Sequence, residues 1–226
     1  LQFYGMELNM PGMDHHTLII PNADDEATVL REIESRFDAN QDWQLPPNPG
    51  RRSAAARRRA LAHLQSLERL PVLFANHPSR SATGIGMYGL DEPWEIRENN
   101  DLASDVYRGM EGAPGHQAST LSADGSRRPD PPRGPAPGRG GYRNPNAPTF
   151  GGFDQMTARV GGFWDSLLGE GRRFWIVASS DSHAHYTDPV RRGSDFWPGE
   201  FHKTYVLARP TYDDVLDGLR QGRVFV

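Results

Sequence analysis

The chain has 226 residues, a formal net charge of −4, 36% hydrophobic residues and no cysteine. This length fits one substantial domain spanning residues 1–226. The negative net charge gives no reason to expect a nucleic-acid-binding surface. No apolar run approaches the length of about 18 residues that a membrane-spanning helix needs. Because disulfides and thiolate ligands are excluded, any bound metal must be held by histidine and carboxylate side chains.

Strand-like and helix-like segments alternate along the chain. Apolar or β-branched runs predict strands at 2–8, 15–20, 71–75, 105–112, 174–178, 204–208 and 223–226. Apolar residues at helical spacing predict helices after Asn22, over 53–69, over 153–168 and after Thr211. This alternation predicts an α/β fold with a mostly parallel sheet or a barrel.

Residues 119–148 differ from the rest of the chain because glycine, proline, arginine and serine dominate them. They show no apolar periodicity, which predicts a long insertion within the domain. The chain starts at Leu1 rather than at methionine, so we expect it to be cut from a longer gene product. Removal of an export leader is one explanation, and the compartment stays open.

Asp181 and His183 follow the buried run 174–178 and lie two residues apart. In an extended backbone, side chains at this spacing project from the same face. A carboxylate and an imidazole would then converge at the carboxyl end of a strand, where α/β barrels hold their catalytic residues. Taken alone, the pair is common by chance, and a turn without function is the more common explanation for it.

Other ionisable residues lie near the ends of other predicted strands, namely Glu7, His15–His16, His77, Glu111 and His116. Several imidazoles and carboxylates at one rim predict a site for zinc, manganese or iron. Each residue also has a structural explanation: the histidine before Pro78 could donate to a cap, and the first glutamate could accept from backbone amides.

Three short motifs resemble the successive motifs of the PHP (polymerase and histidinol phosphatase) superfamily. They are GMELNMPGMDH at 5–15, NHPSR at 76–80 and SDSH at 180–183, and residues 209–224 resemble the last helix and strand of that family. The resemblance implies a distorted seven-stranded β/α barrel. It also implies two or three metal ions and, usually, hydrolysis of phosphoesters.

The resemblance assigns ligand roles to five residues of this chain. Glu7 would bridge two metals, and His15 and His77 would complete the protein ligands of one of them. Asp181 would bind the second metal, and His183 the third or an adjacent site. Of the two adjacent histidines, the spacing after the bridging glutamate favours the first, since neighbours on a strand face opposite sides.

The chain departs from the family pattern at its first motif. The family carries a His-x-His on its first strand, and no such motif precedes Glu7 here. Either the N-terminal strands are absent from this chain and a separate N-terminal fragment completes the barrel, or the protein is a degenerate module that binds one metal or none.

The leading hypothesis is a metal-dependent phosphatase or phosphodiesterase that uses a metal-activated water on a phosphorylated small molecule or a phosphodiester. Arg80 would bind the phosphate and His116 would touch the substrate or protonate the leaving group. A helix-start salt bridge and a tight Pro-Gly turn are their structural alternatives, and Glu111 is interpreted as a supporting residue. The alternatives are a non-catalytic scaffold and an amidohydrolase-type C–N hydrolase. The single lysine, Lys203, precedes a strand and does not favour the latter.

Overall fold

The computed structural model describes residues 1–40, 49–80, 82, 86–115, 150–181 and 202–226. The strands in these ranges are β1 (Gly5–Asn9), β2 (His15–Ile19), β3 (Val72–Ala75), β4 (Tyr107–Pro114), β5 (Trp175–Ser179), β6 (Tyr205–Val206) and β7 (Val224–Phe225). The helices are α1 (Glu26–Phe37), α2 (Ala54–Ser66), α3 (Pro93–Leu102), α4 (Gln155–Ala158), α5 (Phe163–Gly169) and α6 (Tyr212–Gln221).

The strands form a five-stranded sheet in the order β1-β2-β3-β4-β5 and a separate two-stranded sheet of β6 and β7. Within the described ranges this is a mixed α/β fold without a closed barrel, so the prediction of a distorted seven-stranded β/α barrel is wrong. The strand directions differ from the prediction as well, because β2 runs antiparallel to both β1 and β3.

Two connections explain the antiparallel strands. Residues 10–14 join β1 to β2 through a turn in which Gly12 has a φ of +75°. Such a turn is too short for the crossover of about a dozen residues that parallel neighbours need. Two successive helices, α1 and α2, join β2 to β3. The second helix brings the chain back once more, so β3 enters the sheet in the opposite direction.

The described chain divides into two compact units, and the first comprises residues 1–76, 93–109 and 206–223. It contains β1, β2 and β3 with the helices α1, α2, α3 and α6. All of β3, alternate residues of β2 and the inner faces of the helices form its buried core. Its buried apolar residues include Phe74, Leu8, Leu18, Ile33, Leu61 and Leu64.

The second unit comprises 77–92, 110–205 and 224–226. Its described part holds most of β4, together with β5, α4 and α5. Met110, Met156, Leu167 and Phe174 are buried in it. The indole nitrogen of Trp164 donates a 3.0 Å hydrogen bond to the carbonyl oxygen of Phe174. This bond joins α5 to the residue that precedes β5.

Two helices differ from the sequence-based expectation. The helix predicted over 153–168 is broken into α4 and α5, and Gly161, with a φ of +71°, lies at the break. Helix α3 was not predicted, although Pro93 occupies its first position, which proline favours because no N–H is needed there.

None of the helices in the described ranges is long and apolar enough to cross a membrane. The predicted insertion at 119–148 lies outside the described residues, and so do two predicted site residues, His116 and His183.

Candidate metal centre

The register of β1 and β2 brings Glu7 and His15 onto one face of the sheet. Glu7 pairs with Thr17, and His15 lies two residues before Thr17 on the same strand. Residues two apart on a strand share a face, so Glu7 and His15 are diagonal neighbours. Nδ1 of His15 lies 3.1 Å from Oε1 of Glu7.

The adjacent histidine, His16, projects from the opposite face. It pairs with Leu8, and both residues are fully buried. Its Nε2 lies 3.2 Å from the hydroxyl oxygen of Tyr107, and its Nδ1 lies 3.1 Å from the carbonyl oxygen of Asp14. His16 is therefore part of the core, and His15 is the histidine on the face of Glu7.

Strand β3 delivers two further polar residues next to this pair. Because Ala75 pairs with His16, the residues that follow β3 reach the amino end of β2. The backbone N–H of Asn76 donates to the carbonyl oxygen of His15 at 2.9 Å. Its side-chain amide donates to Oε1 of Glu7 at 3.2 Å. Asn76 thus orients the carboxylate, and His77 comes directly after it.

Glu7, His15 and His77 each offer one ligand atom, and these atoms all lie within 4.8 Å of one another. The side chain of Glu7 is 42% exposed and that of His15 is 27% exposed, whereas His77 is buried. Two imidazole nitrogens and a carboxylate oxygen form a common donor set for zinc and related transition metals. This group could hold a metal ion.

His77 has an unusual backbone conformation, with a φ of +30°. This left-handed region costs a residue other than glycine about 1–3 kcal/mol, and such residues cluster at functional sites. The N–H of His77 donates to Oε2 of Glu111 at 2.7 Å, and its carbonyl oxygen accepts from the N–H of Arg80 at 2.8 Å. Hydrogen bonds on both sides of the residue hold this conformation.

The turn after His77 is fixed a second time by Asp154. The backbone N–H and the hydroxyl of Ser79 donate to the two carboxylate oxygens of Asp154, at 3.1 Å and 2.7 Å. The same carboxylate accepts from the N–H of Met156 at 2.7 Å and caps α4. One buried aspartate therefore ties the turn to the start of a helix.

Glu111 lies on β4 and is buried. Burial raises the pKa of its carboxyl group, and the nearby negative charge of Asp181 adds to this effect. The imidazole of His77 and the hydrogen bond from the Ser179 hydroxyl act in the opposite direction and lower the pKa. Glu111 accepts hydrogen bonds from the backbone N–H of His77 and from the hydroxyl of Ser179, the last residue of β5.

Asp181 follows β5 and has a φ of +49°. A Cβ at Gly115, just after β4, would lie 2.2 Å from the carbonyl oxygen of Ser180. Only glycine permits this close approach of two backbone segments. The ends of β4 and β5 therefore lie close together beside Asp181.

The structure brings together three of the predicted ligands, Glu7, His15 and His77. Asp181 is described but is not a member of that group. Arg80 lies in the turn that begins at His77, as the bond between its N–H and the histidine carbonyl shows. His116 and His183 lie outside the described residues, so their predicted roles stay predictions.

Sequence reasoning missed two supporting residues, Asn76 and Asp14. Asp14 is buried, and its Oδ1 accepts from the N–H of His15 at 3.0 Å and lies 3.8 Å from Nε2 of the same residue. Each of the two directly precedes a predicted ligand in sequence. Polar residues commonly orient the ligands of a metal, so this adjacency was the available signal.

The chain matches no protein-family model, no curated protein and no solved structure.

Proposed function

We propose that the protein is a metal-dependent hydrolase of phosphoesters. The observation that carries the proposal is the convergence of Glu7, His15 and His77, whose ligand atoms lie within 4.8 Å of one another. The three side chains present electron-pair donors and no positive amine or guanidinium. A divalent cation would complement them.

Three protein ligands are typical of catalytic metal sites, which keep a further coordination position open. In this group the exposed fractions of Glu7 and His15 leave one side accessible to solvent, while His77 is anchored in the interior. A divalent ion held there would supply Lewis acidity, which lowers the pKa of a coordinated water towards about 7 and offsets the charge of a phosphate. Zinc, manganese and iron all suit the donor set.

We further propose that the complete centre holds two or three ions. Glu7 would bridge two of them, and Asp181 and His183 would bind the others. The left-handed conformation of Asp181 supports this assignment, since strained residues cluster at functional sites. The likeness of the motifs around these residues to the PHP motifs supports it as well.

Two further residues would contact the substrate, which is a phosphorylated small molecule or a phosphodiester. Arg80 lies three residues after His77 in the same hydrogen-bonded turn. Its guanidinium would bind phosphate oxygens in a bidentate manner. His116 follows Gly115, whose backbone approaches that of Ser180, and it would protonate the leaving group.

The test is hydrolysis of an aryl phosphate monoester and an aryl phosphodiester by the purified protein, together with elemental analysis of its metal. We expect activity to disappear after treatment with a chelator and to return with one of zinc, manganese or iron. Activity that survives complete removal of metal would contradict the proposal. Substoichiometric metal without activity would favour the scaffold alternative.

Two variants test whether the activity depends on the Glu7–His15–His77 group. Glu7→Gln and His15→Asn should each abolish metal-dependent hydrolysis while the protein stays folded. His63→Gln is the matched control, because it replaces a histidine of α2 that is not a member of the group. A metal-dependent activity that both site variants retain would place the reaction elsewhere in the chain.

A further inference from the structure

Glu111 contacts two segments of the second unit. Its Oε2 accepts the backbone N–H of His77 at 2.7 Å, and its Oε1 accepts the hydroxyl of Ser179. The residue is 2% exposed and lies in the middle of β4. A buried carboxylate is costly unless hydrogen bonds compensate it, so these two contacts account for its presence there.

The hydrogen bond between His77 and Glu111 involves the backbone N–H of His77 and not its imidazole. A hydrogen bond from a backbone N–H to a carboxylate is charge-assisted and stronger than one between neutral groups. It fixes the peptide plane before His77, whose φ of +30° is otherwise unfavourable. Once the backbone is fixed, the direction of the Cα–Cβ bond is fixed as well, and so is the approach of the imidazole to its partners.

We propose that Glu111 is the positioning residue of the metal centre and that, by holding the backbone of His77, it sets the metal affinity of the Glu7–His15–His77 group. The inference rests on the proposed function for the presence of the metal. The geometric part, that Glu111 holds His77, does not depend on it.

Two substitutions separate geometry from charge. Glu111→Gln keeps a carbonyl oxygen for the N–H of His77 and gains an amide that can donate to the hydroxyl oxygen of Ser179. Glu111→Leu has a similar size and removes the acceptor. We expect the leucine variant to lose about 10- to 100-fold in metal affinity, the range found for partners that orient ligands. The glutamine variant should lose much less.

The experiment measures Zn²⁺ affinity by competition with a chromogenic chelator in the wild type and in both variants. Glu95→Leu is the matched control, because Glu95 is also a buried carboxylate and its hydrogen-bond partner is Arg57. Urea unfolding of the metal-free proteins is measured in parallel. A merely structural role would lower the stability of both leucine variants and leave the Zn²⁺ affinity of the folded proteins unchanged.

A second readout needs no metal. Hydrogen exchange of the His77 amide, followed by NMR in the metal-free protein, should be slow in the wild type and in Glu111→Gln and faster in Glu111→Leu. If the leucine variant does not fold, Glu111→Asp replaces it. This variant keeps the charge but withdraws the carboxylate by one methylene, so it should show the same losses in smaller measure.

The outcomes separate the inference from the proposed function. Unchanged Zn²⁺ affinity or unchanged His77 exchange in Glu111→Leu would overturn the inference while hydrolysis by the wild type still stands. An equal loss of affinity in the glutamine and leucine variants would overturn it too, since glutamine keeps the acceptor. A wild type that binds no metal would overturn the proposed function, and the exchange data would still decide whether Glu111 holds His77.

Discussion

Two clusters of charged side chains in this protein are built on different principles. In the first, the guanidinium of Arg57 on α2 donates to Glu95 at 2.7 Å and to Glu98 at 2.8 Å, both on α3. Arg57 is 1% exposed and also lies over the ring of Trp94 at 5.6 Å. Opposite charges compensate one another here, between two regular helices.

The group of Glu7, His15 and His77 has no arginine or lysine among its members. It combines a carboxylate with two imidazoles, and one of its backbones is left-handed. Charge alone therefore does not mark a functional site. A charged cluster whose members neutralise one another joins elements of the fold, whereas electron-pair donors held close together on a strained backbone are suited to a cation.

The largest expected effect is on the cluster of Arg57, Glu95 and Glu98. Arg57→Leu should lower the free energy of unfolding by about 3–5 kcal/mol, because it leaves Glu95 buried without its positive partner. The Zn²⁺ affinity of the folded variant should stay that of the wild type. Urea unfolding and a chelator competition measure the two quantities.

Arg58→Leu is the control for this variant. Arg58 pairs with the same Glu98 at 2.6 Å, but its side chain is 53% exposed. An exposed pair contributes about 0.2–1 kcal/mol, so the loss should be several times smaller. Equal losses in the two variants would show that burial does not distinguish the two arginines.

His77→Asn should have the reverse pattern. Asparagine tolerates the left-handed conformation of residue 77, so the unfolding free energy should change little. The Zn²⁺ affinity should fall by more than about 100-fold, which exceeds the usual effect of residues that only orient ligands. His63→Asn, outside the group, should bind Zn²⁺ like the wild type. Retained affinity in His77→Asn would remove His77 from the centre.

A smaller effect is expected from Asn76→Ala, which removes the amide that donates to Glu7 at 3.2 Å. The Zn²⁺ affinity should fall by about tenfold, at the lower end of the range for orienting residues. Asn100→Ala is a suitable control, because Asn100 also makes a buried hydrogen bond, to the carbonyl oxygen of Tyr107 at 2.9 Å. A similar loss of affinity in the control would point to a general loosening of the first unit.

The sequence predicted the local structure better than the arrangement of the strands. The apolar runs that precede His77 and Asp181 and the run that includes His15 are strands, and the first ends at Ala75 as expected. Periodicity is a local property, so each run carries its own signal. Strand direction depends on what connects the strands, and the antiparallel order of β1, β2 and β3 was not predicted.

The candidate site was predictable in part for a related reason. Glu7 and His77 lie near the carboxyl ends of β1 and β3, and His15 lies at the amino end of β2. These three positions meet because the strands alternate in direction, and not because a parallel barrel gathers carboxyl ends. The contact of Glu111 with the N–H of His77 joins residues 34 positions apart, so the local sequence pattern could not predict it.

The smallest expected effect concerns a histidine outside both clusters. Burial lowers the pKa of His63, and the positive charge of Arg36 contributes to the shift. The folded state therefore binds a proton less readily than the unfolded state. The stability from this residue is fully present above pH 6.5 and is lost as the pH falls through the lowered pKa of the folded state.

His63→Gln should accordingly flatten, but not abolish, the loss of stability of the metal-free protein between neutral pH and about pH 5. Part of the loss should persist, because burial lowers the pKa of His202 as well. Urea midpoints of the wild type and the variant across this range measure the difference. The ring of His63 packs against that of Phe37 at 5.0 Å, so the variant also loses a packing contact. Loss of packing would shift the curve of midpoint against pH by the same amount at every pH. Only a change in its slope would show the effect of protonating His63.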